Sequence, residues 1–134
     1  MSEYHRAYAI AHPRDRSQYM QSWEKQNRDV VVNNRARQEN RRRNLPHTLT
    51  VSDWKKALAY FDNKCAYCRA PLTKAYREHF IPAASGGGYT KDNIVPACKT
   101  CNSKKHKRNP IDWLSSQVWG LVAYARVITY LETQ

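Results

Sequence analysis

The chain has 134 residues, enough for one domain of ordinary size with an appended arm but not for two full domains. Its 23 Lys and Arg against 11 Asp and Glu give a formal charge of +12, a balance that attracts polyanions and makes nucleic acid the leading class of partner. No apolar run approaches the roughly 18 residues of a membrane span, and the N-terminus "MSEYHRAYAIAHPRDR" lacks the apolar core and cleavage site of a secretory signal, so a soluble intracellular protein without a membrane partner is expected.

Residues 1–47 carry ten Lys or Arg, five Asp or Glu and few aliphatics, with the basic run "RARQENRRRN" from Arg35 to Asn44. They predict a basic, mostly helical arm rather than a core. Tyr4 and Tyr8 precede "HPRD", and Tyr19 and Trp23 precede "QNRD". Aromatics four apart share a helical face, so two short helices with a break near Pro13 are expected. In "TVSDWKKALAYF", Thr50 reads as an N-cap answered by Asp53, and Val51, Trp54, Ala57, Leu58 and Phe61 fall on one face. Then come a knuckle, "CAYCRAPL", a short strand, "AYREHFIP", stopped by Pro82, a flexible loop, "SGGGYTKDN", and a brief extended piece, "IVPAC". After the second cysteine pair, "NSKKHKRN" is helix-compatible and basic. Asn109 as N-cap and Pro110 at the first position start a C-terminal helix over 110–131. Its apolar stripe of Leu114, Val118, Leu121, Val122, Ala125 and Ile128 is widened by Trp119, Tyr124, Val127, Tyr130 and Leu131. That surface is broader than one packing partner needs, so the helix either folds back on the domain or also pairs with a second copy as a homodimer. The organisation expected is an arm over 1–47 and a domain over 48–134, with its metal-bound core at 62–108.

Cys65 and Cys68, and Cys98 and Cys101, form two C-x2-C pairs separated by 29 residues. In a reducing compartment this spacing indicates one tetrahedral Zn²⁺ with sulfurs at about 2.3 Å, ahead of a disulfide or a redox pair. Four thiolates leave no open coordination position, so the zinc is structural. It ties together the ends of a segment too poor in apolar residues to fold on its own core.

With the thiolates assigned, Glu78, His79, Asn93, Asn102 and His106 remain as polar candidates. Carboxylate and amide oxygens suit Mg²⁺ or Mn²⁺, and an imidazole suits proton transfer near neutral pH. Plainer roles stay open: His79 as a strand histidine, Asn93 as a turn residue, and Asn102 as an N-cap. His106, one helical turn after Asn102, is either a metal ligand or a phosphate contact. On a strand Glu78 and His79 point to opposite faces, which is awkward for two groups serving one centre.

The order C-x2-C, "EHFIP", "GG", "DNIVPAC", "CNSKK" resembles the zinc-stabilised HNH endonucleases over residues 50–114. The resemblance implies an α+β fold with a small ββα-metal core. It further implies a divalent-metal-dependent endonuclease hydrolysing phosphodiester bonds of double-stranded DNA, by nicking or double-strand cleavage. His79 would be the general base that activates water, and Asn93 would hold the loop and orient the histidine. Asn102 and Glu78 would bind the catalytic Mg²⁺ or Mn²⁺; glutamate stands where the family more often has aspartate. Stand-alone proteins of this kind are similar to phage or mobile-element nucleases, acting in the cytoplasm of a bacterial or phage-infected cell. Phosphate contacts are expected from Lys104, Lys105, Lys107 and Arg108 beside the site, and from Arg35, Arg37, Arg41, Arg42 and Arg43 on the arm. The rivals are a non-catalytic zinc-knuckle nucleic-acid-binding protein and a nuclease acting on RNA.

Overall fold

The computed structural model describes residues 2–11 and 13–134, without the side chains of residues 8, 9 and 13–16. Four helices come first, α1 (Glu3–Ala11), α2 (Pro13–Gln26), α3 (Arg28–Arg42) and α4 (Val51–Tyr60). A two-stranded hairpin, β1 (Tyr76–His79) and β2 (Ile94–Ala97), is followed by α5 (Lys99–Lys105), α6 (Pro110–Ser115) and α7 (Gly120–Glu132). The class is α+β, as expected.

Helix α2 starts at Pro13, and the rings of His5 and Tyr19 lie 5.4 Å apart, so α1 folds back along α2. The expected pairing of Tyr4 with Tyr8 involves a side chain outside the described residues, as does position 12 of the expected break. Helix α3 is more than a solvated extension. Asp29 in its first turn and Arg41 and Arg42 in its last complement the helix dipole, while Val31, Asn33 and Asn40 on its inner face are buried. Asn33 Nδ2 donates to the Leu49 carbonyl at 3.1 Å, and Tyr89 donates its hydroxyl to Asn33 Oδ1 at 2.9 Å. The C-terminal third of the expected arm is thereby built into the domain.

Helix α4 forms where the capping box predicts it. Thr50 Oγ1 accepts from the Asp53 amide, and Asp53 Oδ2 accepts from the Thr50 amide, both at 3.0 Å. Such a cap contributes about 1 kcal/mol. Trp54, Ala57 and Phe61 carry its apolar face into a core shared with Tyr67, Ile94, Val95, Trp113 and Val127.

Strands β1 and β2 pair antiparallel, with Glu78 opposite Val95 and His79 opposite Ile94. The connection between them is not the loose loop expected from its glycines. Tyr89 is buried, its amide donates to the Pro46 carbonyl at 2.8 Å, and its carbonyl accepts from the Leu49 amide at 3.0 Å. At Gly87 an added Cβ would lie 1.8 Å from the Ile81 carbonyl oxygen, so the chain closes on itself there. Helix α5 begins at its N-cap Cys98, directly after β2, which completes a ββα unit.

The single helix expected over 110–131 is two. Asn109 caps α6 through Oδ1, as read from the sequence, but the helix stops at Ser115. Ser115 and Ser116 turn their hydroxyls onto the carbonyls of Ile111 and Trp113, at 2.7 and 2.6 Å. These bonds compete with continuation of the helix. Gly120 then opens α7 against α6 so closely that a Cβ would fall 1.7 Å from the Leu114 carbonyl oxygen. The buried stripe of α7 is Gly120, Ala123, Val127, Tyr130 and Leu131. Val118, Leu121 and Val122, part of the expected stripe, remain exposed. Among the described residues no helix is long and apolar enough to cross a membrane.

Candidate active site

The two cysteine pairs meet. Cys65 is held by its amide, which donates to the Ala70 carbonyl at 2.8 Å, and the Cys98 sulfur accepts from the Cys101 amide at 3.4 Å. All four Sγ atoms lie within 4.8 Å of one another, and Cys68 and Cys98 are 3.8 Å apart. A tetrahedron with metal–sulfur bonds of about 2.3 Å has sulfurs about 3.8 Å apart, so the donor set and spacing fit zinc. A hydrogen bond from Cys101 holds the Cys65 thiol below its ordinary value, against the upward push of burial. Among the described residues this is the one cluster of three or more His, Cys, Asp or Glu close enough to share an ion.

Beyond the knuckles, β1 sends its residues alternately to two sides. Glu78, 3% exposed, faces the knuckle and α5. Tyr67, between the first two cysteines, donates its hydroxyl to Glu78 Oε2. Lys105 Nζ donates to Glu78 Oε1 and to the His79 carbonyl, both at 2.8 Å. This corrects one expectation: Lys105, expected among the phosphate contacts, is 0% exposed and its ammonium is spent inside the domain. Helical spacing explains the placement, because Lys105 lies one turn after the inward-facing Cys101. Burial pushes the Glu78 carboxyl above its ordinary value, and Lys105 opposes that push.

His79 faces the other way, toward α3, with Nε2 at 3.1 Å from Asn40 Oδ1 and its ring 6.1 Å from that of Tyr89. Burial, followed by the positive charges of Lys105 and Arg43, holds the imidazole down at about 4, so the ring is neutral at pH 7. Asn93 ties the hairpin loop: Oδ1 accepts from the Ile81 amide at 2.8 Å, and Nδ2 donates to the carbonyls of Ile81 and Gly88 at 3.0 and 2.9 Å. It acts on the loop rather than on the His79 ring. Asn102 lies inside α5 rather than at its N-cap, which is Cys98, and His106 is the C-cap with φ of 46°. Glu78, His79, Asn102 and His106 nevertheless line one open cleft of about 390 Å³ together with Arg43, Arg77 and Lys107.

The segment holding both cysteine pairs and this cleft also matches a known family model. Residues 65–112 match the HNH endonuclease family. The chain is in addition 28% identical over 109 residues to a Bacillus subtilis (strain 168) protein named "SPbeta prophage-derived putative HNH endonuclease YoqL". That alignment covers 72% of this chain and 45% of the relative, so the chain spans under half the length of the curated protein it matches. The likeness to HNH endonucleases is thus local to the segment that carries both cysteine pairs.

Arg43 on the cleft wall comes from outside the matched segment, and so does a partner of His79. Asn40 of α3 contacts His79 and is 3% exposed. Arg77, within the segment, stacks its guanidinium 4.5 Å above the Trp54 ring and pairs with Asp29 of α3 at 3.5 Å. Neither Asn40, Tyr67, Lys105 as an internal clamp, nor Arg77 stood out in the sequence. The available signal was helical spacing: Asn33 and Asn40 are seven apart and share one face of α3. Arg35, Arg37, Arg41, Arg42 and Arg43 are exposed along α3 and its end, as are Lys104, Lys107 and Arg108 after the second cysteine pair. Arg37 donates to the His47 carbonyl at 2.9 Å, and Arg43 pairs with Glu39 at 3.1 Å. Of the basic residues expected to contact phosphate, Arg43 and Lys107 reach the cleft wall.

Proposed function

We propose that the protein is a divalent-metal-dependent DNA endonuclease in which His79 is the general base. The observation that carries this reading is a neutral, half-buried imidazole opening on the same cleft as Glu78 and Asn102, within a segment that matches HNH endonucleases. A neutral ring takes the proton of the attacking water as its oxygen bonds to phosphorus and the bond to the leaving oxygen breaks. Arg43 and Lys107 on the cleft wall, with Lys104, Arg108 and the arginines of α3, hold the polyanionic backbone without reading bases. Asn93 keeps the loop between the strands closed, so the end of β1 presents His79 in one position.

Glu78 and Asn102 fit a hard divalent ion in part. Tyr67 and Lys105 each take one lone-pair direction of the Glu78 carboxylate, and a carboxylate has about four. The free lone pairs of Glu78, with the Asn102 amide oxygen on the same cleft, would hold Mg²⁺ or Mn²⁺ there. When bound, the ion supplies charge stabilisation at the phosphoryl and leaving oxygens. The four cysteines would hold a separate, structural zinc.

The test is cleavage of supercoiled plasmid by the zinc-loaded protein, with and without Mg²⁺ or Mn²⁺, beside structured RNA. Metal-dependent cutting of DNA that disappears in His79→Ala, with DNA binding and zinc content retained, is expected. Binding without cutting would favour a non-catalytic module, and preferential cutting of RNA would move the substrate class.

A further inference from the structure

We infer that Asn40, on a helix outside the segment that matches the HNH family, is a positioning residue that fixes the tautomer of His79 and leaves Nδ1 as its basic nitrogen. The inference rests on His79 being the base and goes further, naming the nitrogen that takes the proton and the residue that selects it.

Asn40 Nδ2 donates to the Ala36 carbonyl at 2.8 Å. A carbonyl oxygen only accepts, so the NH₂ end of the amide belongs there and the oxygen end faces His79. Asn40 Oδ1 lies 3.1 Å from His79 Nε2, and an amide oxygen also only accepts, so Nε2 carries the hydrogen. A neutral imidazole has one N–H, which leaves Nδ1 with its lone pair. The alternative tautomer would set two lone pairs against each other at a part-buried contact, leaving both without a donor.

The orienting group is itself held rigidly. Asn40 is buried, its carbonyl accepts from the Leu45 amide at 2.9 Å, and two turns earlier Asn33 locks α3 to Leu49 and Tyr89. The charged groups around the ring are Lys105 from α5, Arg43 from the end of α3, Arg77 on the same strand and the Glu78 carboxylate on its opposite side. The cations are donors and cannot accept from Nε2, so they do not replace Asn40 in choosing the tautomer.

The experiment uses the full zinc-loaded chain. In ¹⁵N-labelled wild-type protein at pH 7, long-range ¹H–¹⁵N spectra of the histidine rings, assigned with His79→Ala, should show His79 protonated at Nε2 alone. A ring protonated at Nδ1, or a mixture of tautomers, overturns the inference without recourse to any variant. Asn40→Ala should lower the single-turnover cleavage rate about 10- to 100-fold, part of the roughly 10²- to 10⁴-fold that a positioned base contributes, while DNA affinity stays within about twofold. Asn40→Asp keeps an acceptor opposite Nε2 and should recover the rate to within about threefold of wild type. Wild-type cleavage by Asn40→Ala, or no recovery in Asn40→Asp, also overturns it. If Asn40→Ala fails to fold, the wild-type spectrum and Asn40→Asp decide. Full cleavage by His79→Ala would sink the underlying nuclease reading, whereas loss in His79→Ala with full activity in Asn40→Ala would remove Asn40 alone.

Discussion

Replacing Lys105 by Met separates the buried clamp from a phosphate contact. The methionine fills most of the lysine's volume but leaves the Glu78 carboxylate, 3% exposed, without its partner at 2.8 Å, and the His79 carbonyl without a donor. Glu78 can remain charged, and stripping one partner from a buried pair costs about 3–5 kcal/mol. It can instead take a proton. At pH 7, against an ordinary value of 4.5, that costs about 2.5 units at roughly 1.36 kcal/mol each, or about 3.4 kcal/mol. The cheaper route sets the loss, and with about 1 kcal/mol for the bond lost at the His79 carbonyl, Lys105→Met should destabilise by about 4–5 kcal/mol at pH 7. At pH 5 protonation costs only about 0.7 kcal/mol, so the deficit should shrink to about 1–2 kcal/mol, including the bond lost at the His79 carbonyl. Urea unfolding of zinc-loaded wild type and variant at both pH values measures the difference. A Lys104→Ala, Lys107→Ala double variant is the contrast: its stability should stay within about 0.5 kcal/mol, while the salt dependence of DNA binding loses about 0.9 in slope per phosphate contact removed. A Lys105→Met protein with wild-type stability and a reduced salt slope would refute the clamp.

Three further outcomes are expected. Metal analysis should find one zinc per chain, and chelation or Cys98→Ser should unfold the segment between the cysteine pairs, read by tryptophan fluorescence; an unchanged unfolding midpoint after zinc removal would contradict a structural role. The folded His79 value near 4 lies below the ordinary 6.5, so stability is fully present above pH 6.5 and falls as the pH drops toward 4, because the unfolded chain binds a proton there that the folded chain does not. Allowing for the partial exposure of the ring, His79→Gln should remove about 1 kcal/mol of the stability difference between pH 7 and pH 5, and parallel pH profiles would count against it. Gly87→Ala would place a Cβ 1.8 Å from the Ile81 carbonyl oxygen and 2.9 Å from Asn93 Nδ2, so its loss should exceed about 2 kcal/mol. Gly86→Ala, with φ of +90° and open space around it, should cost about 1 kcal/mol, and the reverse order of the two would show that the loop is not closed by Asn93.

Local chemistry made much of this protein legible from its residues. The Thr50–Asp53 capping box, the start of a helix at Asn109–Pro110, the short strand before Pro82 and the two C-x2-C pairs each depend on residues within a few positions of one another, and the structure forms all of them. The order of "EHFIP", "DNIVPAC" and "CNSKK" carried the family resemblance, because a ββα unit is short and nearly contiguous. What the sequence left undecided depends on contacts between residues far apart in the chain. Nothing local shows that Asn40 meets His79 across 39 positions or that Tyr89 reaches Asn33 across 56. Lys105 looks like its exposed basic neighbours until Cys101 fixes which side of α5 turns inward. The apolar residues of 110–131 suit one long helix until Ser115 and Ser116 bond back and Gly120 packs on Leu114. Residue types and spacing singled out the four-cysteine cluster, and the family resemblance singled out the candidate base; only tertiary packing decided which polar groups are spent inside the domain, because burial is a property of the assembled fold.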